Sequence, residues 1–90
     1  MTITEVRVFP HRGHDRCLAF ASITIDGSFA IRGLKIIRGE RGIFVAMPTR
    51  LLPTGVFQDV AHPINRETRL MVETAVLDEY DSRWIKAWKA

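Results

Sequence analysis

Apolar and polar positions alternate along "ITEVRVF" (Ile3–Phe9), with Val6 and Val8 to one side and Glu5 and Arg7 to the other. That is the pattern of a half-buried strand. Pro10 and Gly13 then break it, so "PHRGHD" is a loop. "CLAFASITI" (Cys17–Ile25) is rich in β-branched and aromatic residues and reads as a second strand. Asp26-Gly27 follows at once, and "SFAIRGLKII" after it. Asp-Gly between two apolar runs predicts a hairpin, because a type I′ turn needs φ > 0 at both central positions. Gly33 within the third strand predicts a bulge, and one extra residue there puts Arg32 and Lys35 on a shared face despite their odd spacing. "RGERG" is the next turn and "IFVAM" (Ile43–Met47) the fourth strand, giving an antiparallel meander. Phe57 to Ala61 predicts a fifth, short edge strand.

The texture changes at Asn65, a good N-cap able to accept from the N–H of Glu67 or Thr68. Leu70, Leu77, Trp84 and Trp88 recur at helical spacing, supported by Val76 and Tyr80. Charged residues fill the other faces, and Glu67 in the first turn suits the helix dipole. The chain therefore reads as one α+β domain over residues 1–90, with a sheet of four to five antiparallel strands over about 3–61 and a C-terminal amphipathic helix over about 66–88. One helix covers one face of such a sheet. The other face or an edge strand stays available to a second copy, so a strand-mediated homodimer is expected.

Composition adds bounds. Ninety residues leave no room for a second core, and 47% apolar with 26% charged residues is the balance of a soluble globular protein. A single cysteine, Cys17, excludes an internal disulfide framework and points to a reducing compartment, the cytoplasm. No signal peptide or membrane span is legible. The net charge of +3 hides an asymmetry: residues 1–50 carry eight Lys/Arg against four acids, and residues 51–90 five against six. A basic half can be a footprint for polyanions or a solvated sheet face.

Candidate chemistry is sparse. His11, His14 and Asp15, with His62 further on, are too few and too local to specify a metal cage. Cys17 lacks a local activating motif and reads as a packed core thiol. His62 precedes Pro63 and is expected to hydrogen-bond within its own loop. Without a phosphate loop or an informative acid pair, the residues predict no enzyme, no cofactor and no metal. The basic set is the better candidate: Arg32, Lys35, Arg38 and Arg41 run along strand three into the turn, and Arg50 tips the following loop. Lysines and arginines so placed suit phosphate contacts. In the tail "SRWIKAWKA", Trp84 and Trp88 are flanked by Arg83, Lys86 and Lys89, and the plain reading is that the tryptophans seal the helix onto the sheet or a partner subunit.

"ASITID" (Ala21–Asp26), "GIFVAMP" (Gly42–Pro48), "AHPIN" (Ala61–Asn65) and "AVLDEY" (Ala75–Tyr80) resemble, in order and spacing, the SpoVG family of bacterial septation and sporulation regulators. The resemblance covers about nine-tenths of the chain. It implies a cytoplasmic bacterial protein with an antiparallel sheet and a C-terminal helix, dimerising through its strands. It also implies binding of DNA, and possibly RNA, in septation, sporulation and gene regulation, with no enzymatic activity. Arg50 keeps the first cation of the family's loop after "FVAMP" and Arg16 matches a basic family position. Leu51, Gln58 and Leu18 stand where basic residues are usual. Those substitutions open a second reading, a protein–protein adaptor in cell division that uses Leu51, Leu52 and the tail tryptophans as apolar anchors.

Overall fold

The structure, a computed structural model, describes residues 1–11, 13 and 15–82. Four antiparallel strands form one sheet in the order β1-β2-β3-β4: β1 (Ile3–Pro10), β2 (Cys17–Ile25), β3 (Phe29–Gly39) and β4 (Gly42–Ala46). Sequence order equals spatial order, as the short turns require. Asp26 and Gly27 both adopt positive φ, 51° and 63°, and the Ser28 N–H donates to the Ile25 carbonyl oxygen at 3.0 Å, closing the predicted turn. The turn is tied to the start of the chain as well. Thr2 N–H donates to Asp26 Oδ1 at 2.8 Å, and Gly27 N–H donates to Thr4 Oγ1 at 2.9 Å.

Alternation divides the sheet into two faces. Ala19, Ala21 and Ile23 of β2, Leu34 and Ile36 of β3 and Val45 of β4 are buried, with Val6 and Val8 of β1 packed beside them. The helix α1 (Arg66–Tyr80) lies against this inner face from β1 to β4 and contributes Val72 and Val76, one turn apart. Burying side chains of this size is worth roughly 1.5–3 kcal/mol each. Asn65 is the N-cap: its backbone is extended, and its Oδ1 accepts from the Thr68 N–H at 2.8 Å. The predicted apolar stripe is corrected at Leu70, which is exposed. Tyr80 and Leu77 do pack against the core. Trp84, Trp88 and the rest of the helix expected to reach about 88 lie outside the described residues.

Phe57 does not begin a fifth strand of this sheet. β5 (Thr49–Leu51) and β6 (Phe57–Asp59) pair with each other in a separate two-stranded ladder. Leu52, Pro53, Thr54 and Gly55 close it: Gly55 N–H donates to the Leu52 carbonyl oxygen at 2.9 Å, and Gly55 has φ +87°. All six ladder residues are exposed, and the ladder stands off the main sheet as an arm.

Candidate nucleic-acid interface

The bulge predicted at Gly33 is present and organises the outer face of the sheet. Ala21 pairs with Leu34 and Ile23 with Ile31, so Arg32 and Gly33 together oppose the single residue Ser22. Gly33 takes φ +84°, a left-handed conformation that costs a side-chain-bearing residue energy. The extra residue lets Ile31 and Leu34 both face inward, while Arg32 and Lys35 both stand exposed on the outside. A Cβ at Gly33 would lie 3.4 Å from the Cβ of Pro48, which marks where the arm leaves the sheet. Arg32, Lys35, Phe20 and Phe29 line one groove with Pro48, Thr49, Val60 and Ala61 from the base of the arm.

Arg50 belongs to that arm but not to its tip. It is the middle residue of β5, exposed and opposite Gln58, while the tip is Pro53–Gly55. The remaining three cations gather elsewhere. Arg38 pairs with Ile43 two positions beyond the buried Ile36, so it falls on the helix-facing side at the far end of β3. Its N–H donates to the Arg16 carbonyl oxygen at 2.9 Å, which makes Arg16 its neighbour. Arg41 lies in the turn that follows, and all three are exposed. The six candidates thus form two groups with Arg50 apart on the arm: Arg32 and Lys35 line the outer groove, and Arg16, Arg38 and Arg41 lie about 10 Å further along β3 from Lys35 at the strand rise. A single row along β3 does not form, because alternation sends Lys35 and Arg38 to opposite faces.

Arg7 was missing from the candidate set. It pairs with Ser22, on the side of β2 opposite Arg32, and lines a shallow hollow with Phe9, Phe20, Ser22 and Arg32. Its Nε donates to Glu5 Oε1 at 3.0 Å. Alternation in "ITEVRVF" had already placed Arg7 outward; only the β1–β2 register shows that it shares a face with Arg32.

Among the described residues, no three His, Cys, Asp or Glu side chains are placed to hold a metal ion. His14 lies outside them. His11 Nε2 sits 3.3 Å from Asp15 Oδ1, and Asp15 also accepts from the Cys17 N–H at 3.1 Å. Cys17 is half-buried at the start of β2 rather than a core residue, because the register slips between Cys17 and Ala19 where the strand begins. His62 Nδ1 lies 3.0 Å from the Pro63 carbonyl oxygen, a contact within its own loop. An apolar cavity of about 160 Å³ opens between the inner face and the N-terminal half of α1, with Ile3, Ile23, Ile25, Met47 and Met71 in its wall. No helix among the described residues is long and apolar enough to cross a membrane.

The SpoVG family model matches residues 1–82, which takes in every strand, the arm and the helix. The chain belongs to the SpoVG family. Relatives carrying a SpoVG septation-protein name include that of Clostridium novyi, 46% identical over 90% of this chain and 81% of its own length. The Bdellovibrio bacteriovorus relative is 48% identical, covering 90% of this chain and 74% of its own length. That of Caldicellulosiruptor bescii is 45% identical, covering 91% and 93%. Seen on the SpoVG framework, "GIFVAMP" is β4 with the exit at Pro48, and "AHPIN" carries the chain from the arm into the Asn65 cap. Two of the four segments that carried the resemblance are therefore those that seat the arm between sheet and helix.

Proposed function

We propose that this SpoVG-family protein takes part in septation and sporulation control in the bacterial cytoplasm as a nucleic-acid-binding regulator of gene expression. It acts by binding rather than by catalysis, on DNA and possibly RNA, as a homodimer joined through sheet strands. The observation that supports this most is the bulge at Gly33, which turns Arg32 and Lys35 to the same exposed face beside the arm bearing Arg50. Exposed cations on a rigid sheet with the helix on the opposite face form a surface that a phosphate backbone can reach. The edge strand β4, with Ile43 and Phe44 partly exposed, offers the contact for a second copy.

The test is retention of DNA and RNA pools by the purified chain at two salt concentrations, with Arg50→Ala alongside. Retention should fall steeply with salt, and Arg50→Ala should weaken it and flatten the slope by about 0.9 log unit on duplex DNA. Absence of any salt-sensitive retention would sink the proposal.

A second reading, a cell-division adaptor, has its own support. Leu51 and Phe57 are cross-strand partners on the arm and are 61% and 68% exposed. Such an apolar pair suits a protein partner better than a phosphate. A Leu51→Arg/Gln58→Arg variant separates the two: it strengthens nucleic-acid retention under the first reading, and under the second it abolishes capture of a division protein while leaving nucleic acid irrelevant.

A further inference from the structure

The outer face of the sheet carries rings as well as cations. Phe9 of β1 and Phe20 of β2 are direct cross-strand partners, and Lys35 of β3 is the partner of Phe20 on its other side. Two residues along, in the next row of the same face, Arg7, Ser22 and the Arg32–Gly33 bulge stand side by side. Phe20, with paired strands on both sides, is 38% exposed, and Phe9 beside it on the edge strand β1 is 53% exposed, so the two rings leave an adjoining apolar surface open to solvent. Phe20 is also held in place. The ring of His11 meets it edge-on, with centroids 5.3 Å apart and planes at 79°, and His11 is itself braced by Asp15 at 3.3 Å.

We infer that this face binds single-stranded nucleic acid by stacking bases on Phe9 and Phe20 while Arg7, Arg32 and Lys35 hold the flanking phosphates. This rests on the nucleic-acid reading above and names the form of nucleic acid it prefers. In a duplex the base faces are already stacked and hidden, so rings on a sheet surface cannot reach them. A single strand presents those faces, and each base has one, so stacking tolerates any sequence. Charge selects the occupant. Three cations share this face with Glu5, whose carboxylate is already engaged by Arg7 Nε at 3.0 Å. A second copy docked face to face would bring like charges together in a desolvated contact, which disfavours it. A polyanion with exposed aromatic faces satisfies both features of the patch.

The experiment is fluorescence anisotropy with the full chain and three labelled probes: a single strand of about 12 thymidines, an abasic strand with the same phosphates, and a duplex of equal length. Phe20→Leu and Phe9→Leu keep an apolar side chain and remove the ring. Each should weaken the thymidine strand about tenfold, leave the abasic strand and the duplex within about twofold, and leave the salt slope unchanged. If both variants bind the thymidine strand like the parent while its salt-sensitive binding persists, phosphates alone carry the affinity; stacking is overturned and the nucleic-acid reading stands. Equal weakening on all three probes means that the rings act through the fold, and it also overturns stacking. Conversion of a dimer to a monomer by either variant, without selective loss of the thymidine strand, would assign the face to self-association. If the parent chain binds no probe at low salt, the nucleic-acid reading itself fails and the inference falls with it.

Discussion

The backbone N–H of Arg38 donates to the carbonyl oxygen of Arg16 at 2.9 Å, so an arginine near the end of β3 neighbours the arginine just before β2 at one end of the sheet. Both are exposed, and no carboxylate is paired with either among the ion pairs of the described residues. Adjacent like charges cost a folded protein some stability unless an anion visits them. Arg38→Gln is therefore expected to raise stability by roughly 0.2–1 kcal/mol at low ionic strength. The gain should shrink toward zero as salt screens the pair, which urea unfolding at two salt concentrations measures directly.

The two groups of cations make separate predictions for binding. Replacing Arg32 and Lys35 together by glutamine should flatten the salt dependence on duplex DNA by about 1.8 log units, two phosphate contacts' worth. The Arg16→Gln/Arg38→Gln variant should change the slope less, since Arg38 lies on the helix-facing side. Titrations of both variants across salt would show a reversed order if the phosphates instead track the far end of β3.

Gly33→Val should destabilise the fold by roughly 1–2 kcal/mol, the cost of holding a residue with a side chain in left-handed geometry. The new Cβ meets Pro48 only at ordinary van der Waals distance, so the penalty comes from the φ of +84° and not from a clash. Denaturant midpoints test this, and nucleic-acid retention should fall alongside if the bulge is what keeps Arg32 and Lys35 on one face.

Asn65→Ala removes the oxygen that satisfies the Thr68 N–H and should cost about 1 kcal/mol, whereas Asn65→Asp should retain most of the cap. Because this helix covers the whole inner face, the loss should appear in global unfolding followed by circular dichroism. Fraying confined to the first helical turn would contradict it.

Local chemistry made much of the fold legible in advance. Asp26-Gly27, Gly33 and Asn65 each announce a backbone conformation that few other residues favour, and all three occur where expected. What stayed hidden depended on pairing. The short run at Phe57 reads as a strand, yet nothing local says that its partner is Thr49–Leu51 rather than the main sheet. That choice also moves Arg50 from a tip to the side of an arm. Leu70 and Leu77 sit at similar helix azimuths, yet Leu77 packs against the core and Leu70 is exposed. Arg7 and Arg32 are far apart in sequence and share a face solely through the registers on either side of Ser22. Site geometry here is a matter of register, and single-chain periodicity does not encode register between strands.

β4 pairs with β3 only from Lys35 to Gly39, so the stretch Phe29–Leu34 has no strand beside it on that side. An open stretch of β-edge invites other chains to zip onto it, the first step toward insoluble aggregates. Gly33 interrupts that stretch with a left-handed residue, and a straight incoming strand loses register there. The same kink that gathers the cations therefore also makes the open edge a poor template for another strand.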